Sequence, residues 1–532
     1  MLSPHIQKLI QKYQKWHSLF KAKKERVIFV DEIASRVASF YEKIRGIIEW
    51  REEHLLRKTA IERVLRRRLV FQKSGEEIAE PLVLELIRGG HFPNGQIEES
   101  KIDQVKKILD KYIFIFENNS PPPSSKKSKA RLFEWLLGVL ACEIEETLSP
   151  PIRELALIEC MTNSLKERVE VGQRKIIEKK MPEKEKEIQL FIAVQKALFK
   201  FDEPLISYHL LKKMVPDWEN LSPERLKEIT CQIYSIWDQI EKSFKHPLSE
   251  KFYQVAERYD TPYLILGDIL SKDPLGAFKN LSQPKVLEEL IRESYQERLK
   301  KLKKRLKKAA LFSTISIFVT KMLLAFAIEI PFDKYVLGAF SYQNLFINIL
   351  VPPLLMFVLV ATIKTPQKEN LDRVILEVMR IVYPSNGKEI EEIKPPRKKG
   401  IILSTIIGLF YFLTFVLSFW AIIWLLRKVE FGGLSIGIFL MFFCLIFFAG
   451  VKIRERSKEL QVIEEKTTIL SFLFDTFSLP FIRMGKWLSG QLSRYNIIVF
   501  LFSAFLDLPF QLFTEFLEHW RSFIKEKKGE IH

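Results

Sequence analysis

The chain has 532 residues, with 83 Lys and Arg against 65 Asp and Glu, a formal net charge of +18 and 47% hydrophobic side chains. So basic a balance excludes an acidic solvating protein and favours polyanionic partners, nucleic acid or anionic lipid. Four cysteines (Cys142, Cys160, Cys231, Cys444) stand far apart, which excludes a disulfide framework or a cysteine-built zinc site and suits a reducing compartment.

Residues 1–308 are charged and read as helical throughout. The first twenty lack an apolar core long enough for a cleaved signal peptide. In 55–69, Leu56, Ala60, Ile61, Val64 and Leu65 recur at three- and four-residue steps. The opposite face carries Arg57, Lys58, Arg63, Arg66, Arg67 and Arg68, a candidate grip for phosphate unless Glu52, Glu53 and Glu62 pair with it. GGHFPNG (89–95) is a loop, and 102–116 is another periodic helix. The Pro/Ser/Lys stretch 118–129 reads as a linker dividing a helical subdomain, 1–117, from a second, 130–308. Within the second, Ser222 before Pro223 predicts a helix start. No fixed repeat is visible, and few alternating runs argue for strands.

Four apolar runs follow, at about 309–328, 345–363, 401–426 and 432–451. Each approaches the roughly 20 residues a helix needs to cross a bilayer. Lys and Arg crowd 298–308, the loop 364–400 and 452–458, whereas 329–343 holds Lys334 alone. This asymmetry predicts four crossings with both termini cytosolic. Arg427 and Lys428, in the short third loop, are a mild exception.

Within this region, Lys321 is a charge inside the first run. Its stem is expected to snorkel to the far headgroups, since ~10 Å of helix separates it from the run's end and no acid occurs in runs two to four. The competing expectation joins Lys321 with Asn348 and a helix break at Pro352 and Pro353 in a transport pathway. Before the first run, Arg298, Lys300, Lys301, Lys303, Lys304, Arg305, Lys307 and Lys308 surround a stripe of Leu299, Leu302 and Leu306, the pattern of an anionic-lipid contact.

The tail, 452–532, is apolar but interrupted by Asp475, Pro480, Arg483, Lys486, Arg494, Asp507 and Pro509, and reads as interfacial. Over 509–525, Phe513, Phe516, Leu517, Trp520 and Ile524 share one face, as anchors of a helix lying in the interface plane. The run 496–514 is long enough to be a fifth span but would carry Asp507.

No phosphate loop, dinucleotide fingerprint, HExxH, CxxC pair or nucleophile elbow occurs, so no catalytic residue, metal ligand or cofactor is assigned. His54 lacks a ligand at helical spacing. The pairs Glu143–Glu146 and Glu391–Glu392 read as surface acids. The segments EEHLLRKTAIERVLRRRL (52–69) and LPFIRMGKWLS…WRSFIKEKK (479–528) resemble uncharacterised multi-pass membrane proteins of small-genome bacterial lineages. That resemblance implies a bacterial cytoplasmic membrane and no activity.

The expectation is thus an all-α protein. A helical cytosolic region precedes a four-helix membrane domain (309–451), which is followed by an amphipathic C-terminal region. It acts first as a membrane-anchored scaffold or adaptor with a protein partner and anionic-lipid contacts. The alternative is a subunit of an oligomeric transporter or channel, and a membrane-bound enzyme comes third. A homo-oligomer is compatible with each, and nucleic acid is not the expected partner.

Overall fold

The computed structural model describes residues 2–21, 26–30, 53–72, 74–119, 126–172, 181–332, 334–335, 342–363, 368–383, 390–394, 400–462 and 469–495, with 516, 520, 523, 524, 526 and 527. Phe513, Leu517, Asp507 and the run 496–514 lie outside them. Two compact units form: Met1–Glu289 with Glu377–Pro395 and Leu506–His532, and Leu290–Leu376 with Pro396–Phe505.

The first unit stacks helices α1 (Pro4–Lys21), α2 (Glu53–Arg68), α3 (Gly75–Arg88), α4 (Ser100–Asn118), α5 (Lys126–Leu148) and α6 (Ile152–Arg168). It continues with α7 (Glu183–Phe199), α8 (Glu203–Met214), α9 (Pro223–Phe244), α10 (Ser249–Lys272) and α11 (Ala277–Ser282). Polar caps fix several starts. Ser222 accepts from Arg225 N at 3.2 Å with Pro223 next, and Asp202 accepts from Leu205 N at 3.2 Å. Each satisfies a donor that the first helical turn leaves without a partner.

The core is continuous across the Pro/Ser/Lys stretch. Lys111 on α4 bonds Glu143 on α5 at 2.6 Å, and α2 packs on α5. The expected boundary at 118–129 therefore does not divide the fold. Strands do occur: β1 (Val169–Val171) pairs in parallel with β2 (Glu391–Ile393). Three residues each, far apart in the chain, leave too short an alternation to detect in sequence.

The second unit is built on α12 (Pro284–Phe332), whose first residues belong to the first unit, with α13 (Tyr342–Ala361), α14 (Lys368–Val382), whose residues from Glu377 on also belong to the first unit, α15 (Ile401–Lys428), α16 (Gly433–Ser457) and α17 (Ile469–Tyr495). Helices α12, α13, α15 and α16 are long and apolar enough to cross a membrane. Large apolar side chains stand open along them: Ile401 is 87% exposed, Phe410 63% and Trp420 59%. Water would not tolerate so continuous an apolar surface, so lipid is its natural solvent.

Helix α13 runs unbroken through Pro352 and Pro353, both buried. The expected break is not there: each ring removes one N–H from the helix, and packing in a bundle tolerates that loss.

The tail departs from an interface-parallel helix over 469–495. Helix α17 packs lengthwise and antiparallel on α16, with Asp475 beside Arg454 (3.5 Å) and Phe481 edge-on to Phe443 (4.9 Å). At Gly485 the backbones come so close that a Cβ would lie 2.1 Å from the Cys444 carbonyl oxygen. Only a residue without a side chain permits that approach. Ser418 on α15 donates to the Phe477 carbonyl at 3.1 Å. A sequence that mixes charge into apolar stretches reads as interfacial, yet its apolar side found a helix to cover it.

Candidate functional site: a buried ion pair among apolar helices

Lys321 lies twelve residues past Ala309, about 18 Å along α12 and within a helix long and apolar enough to cross a membrane. Its side chain is fully enclosed, so it does not snorkel. The ammonium instead meets Glu329 Oε1 at 2.5 Å. Glu329 is 1% exposed, and its second oxygen accepts from Asn348 Nδ2 at 2.7 Å. The Phe442 ring of α16 closes the group, its centroid 5.4 Å from Lys321 Nζ. Three helices thus enclose one ion pair, with Asn348 on its carboxylate and Phe442 against its ammonium.

The meeting depends on a local irregularity. Eight residues on a regular helix would set Lys321 and Glu329 about 80° apart. The π-turn at Ala325–Glu329 absorbs one extra residue, which returns Glu329 to the Lys321 face within about 20°, two turns away. In the sequence Glu329 falls at the start of the exit loop, outside the four apolar runs in which a partner for Lys321 is expected. The available signal was an acid within two turns of a lone intramembrane lysine, just ahead of Pro331.

Of the expected pathway, Lys321 and Asn348 are brought together through Glu329. Pro352 and Pro353 lie one turn beyond Asn348 on the same helix, and their rings withhold the N–H groups that would close on the Asn348 and Ile349 carbonyls.

The basic run before this site is open. Lys300, Lys301, Lys303, Lys304, Arg305, Lys307 and Lys308 are exposed and Arg298 is half-buried, while Leu302 and Leu306 are buried. The cations of α2 are instead committed to acids. Arg57 pairs with Glu145 at 2.7 Å, Arg66 is bidentate on Glu134 at 2.6 Å, and Arg67 and Arg68 share Glu85 at 2.5 and 3.0 Å. Lys58 holds Asp202 and Glu62, and Arg63 is also engaged. The set is divided among several carboxylates and does not converge on one phosphate-sized point. Of the tail anchors, Phe516 and Trp520 are exposed and stack at 6.1 Å, Ile524 is exposed, and Phe523 extends the ladder.

The run CEIEE (142–146) is not surface. Glu143 is buried and accepts from Lys111 Nζ (2.6 Å), Tyr112 OH (2.8 Å) and Trp218 Nε1 (2.8 Å). Glu146 is buried on His209 Nε2 at 2.5 Å, and the other ring nitrogen of His209 meets Gln195. Burial pushes the Glu145 carboxyl up to about 7 against the opposing pull of Arg57. It pushes His54, edge-on to Phe201, down to about 4. Glu143, Glu145 and Glu146 are enclosed and each is met by a partner from another helix, the signature of a structural network, whereas His54 Nε2 is buried without a hydrogen-bond partner among the described residues. Glu391 accepts from Tyr259 OH at 3.0 Å and pairs with Arg258, so it forms no dyad with the more exposed Glu392. Among the described residues, no three His, Cys, Asp or Glu could hold a metal ion.

Asp260 offers a pH test of burial. Its carboxyl, wholly enclosed beside Thr261, is raised by desolvation to about 7. A raised carboxyl favours the folded state below its unfolded value near 4, and that advantage is lost as pH rises to 7. The isosteric Asp260→Asn should therefore match wild type at pH 4 and exceed it increasingly up to pH 7, by on the order of 2–4 kcal/mol above that. Urea unfolding of the full chain across pH 4–8 measures the difference, and a pH-independent offset would refute it.

No family model, curated protein or solved structure matches this chain, so its function rests on this geometry alone.

Proposed function

We propose that this chain is a multi-pass protein of a bacterial cytoplasmic membrane, with both termini cytosolic, whose apolar unit serves as a transport or channel component. One observation carries the reading: a lysine, a glutamate and an asparagine enclosed together among helices that otherwise face lipid. An anchor needs only apolar helices. Ionisable groups held inside a membrane are costly and, where retained, commonly mark the path of an ion or substrate. Four spans leave little room for a pore in one copy, so an oligomer fits the role. The open run 298–308 seats the chain on anionic headgroups, each cation contributing about 1 kcal/mol near the surface.

The purified full chain in anionic liposomes should pass protons or alkali cations above protein-free vesicles, and Glu329→Gln should abolish the flux. Equal flux from wild type and variant would sink the transport reading.

The second reading, a membrane-anchored scaffold, is favoured by the first unit, a large helical body whose buried acids Glu143, Glu145 and Glu146 are each tied to a partner within it. It gains if the liposomes stay tight and a cytosolic protein co-purifies in fixed stoichiometry.

A further inference from the structure

We propose that Glu329 and Asn348 form an oxygen site for a small monovalent cation, whose charge the tethered ammonium of Lys321, held on Glu329 alone, replaces in the resting protein. The proposal deepens the transport reading and rests on it for its purpose, though binding is measurable without movement.

Asn348 supplies the first argument. It is 2% exposed, and its Nδ2 is fixed toward Glu329, because the opposite amide orientation would set oxygen against carboxylate. That leaves Asn348 Oδ1 buried with no hydrogen-bond partner among the described residues. Buried acceptors are nearly always satisfied, so one left over beside a carboxylate calls for a donor or a cation.

Proline chemistry supplies the second. Pro352 and Pro353 have no N–H to offer the Asn348 and Ile349 carbonyls four residues earlier. The turn that presents Asn348 is therefore rich in acceptors and short of donors, which is how unwound or donor-poor helix turns come to coordinate cations in membranes.

The third argument is charge. One carboxylate balances one ammonium, and Phe442 presents its ring to that same position. A monovalent cation replaces the ammonium charge for charge, with the ring face still available to it. A divalent ion would leave an excess positive charge in the apolar layer. The atom that Lys321 Nζ meets is a hard carboxylate oxygen, the kind of ligand that alkali cations prefer.

The test uses the full chain in nanodiscs, unfolded by heat and followed by tryptophan fluorescence. NaCl, LiCl and KCl are each compared with choline chloride at constant ionic strength. In Lys321→Ala, one alkali cation should raise Tm saturably, at a concentration roughly tenfold lower than in wild type, since bound ligand stabilises by its occupancy. Lys321→Ala/Glu329→Gln should not respond. An identical response to choline, or one that survives in the double variant, overturns the proposal. If Lys321→Ala does not fold, wild type decides. Labelling of Glu329 by dicyclohexylcarbodiimide, read by mass spectrometry, should slow several-fold in the effective cation relative to choline. Equal labelling rates overturn the proposal too. A cation shift without flux removes the transport reading alone, and flux without a cation shift removes this inference alone.

Discussion

Glu329→Gln should lower the stability of the full chain by about 3–5 kcal/mol, because it leaves the Lys321 ammonium enclosed without a counter-charge. Lys321→Met should cost a comparable amount by stranding the Glu329 carboxylate beside Asn348. The double variant should recover much of the loss, since replacing both members of a buried pair with neutral groups of similar size is often nearly neutral. Thermal unfolding of monodisperse protein, arranged as a double-mutant cycle, reads the coupling directly. Strictly additive losses would mean that the two side chains do not sense each other.

Glu143→Ala should be the most damaging single change in the first unit. It removes the acceptor shared by Lys111, Tyr112 and Trp218, three buried donors with no water to turn to. Unfolding in urea should show a loss of about 3–5 kcal/mol. Burial lowers the readiness of Lys111 to hold its charge, and Glu143 opposes that, so Glu143→Gln should fall between wild type and Glu143→Ala. Glu134→Ala gives the contrast. Its bidentate partner, Arg66, is half in solvent, and the loss should stay below about 1 kcal/mol. Similar losses from the two alanine variants would contradict the burial argument.

The membrane helices were legible because lipid imposes its demand on composition, which a reader sees residue by residue. The runs at 401–426 and 432–451 became Ile401–Lys428 and Gly433–Ser457, longer only where charged ends continue the helix. The start at Ser222 was legible for the same reason: capping is local. What was not legible depends on distant partners. Glu143, Glu145 and Glu146 look like solvent acids until Lys111, Arg57 and His209 arrive from other helices. Glu329 looked like a loop acid because eight residues match no helical step, and nothing in the letters announces a π-turn. The prolines of α13 misled in the opposite sense, since a local rule for breaking helices yields to bundle packing.

Helix α17 has a consequence for what surrounds the bundle. Asp475, Arg483 and Lys486 are exposed on one side of it, within an arc of about 80°, while Phe481 and Gly485 lean on α16. Asp475 keeps Arg454 beside it and Arg483 lies over the Tyr411 ring, yet all three charged groups stay exposed, and acyl chains cannot solvate them. That flank must therefore border water, headgroups or another polypeptide, and the assembly has a wet side as well as a greasy one.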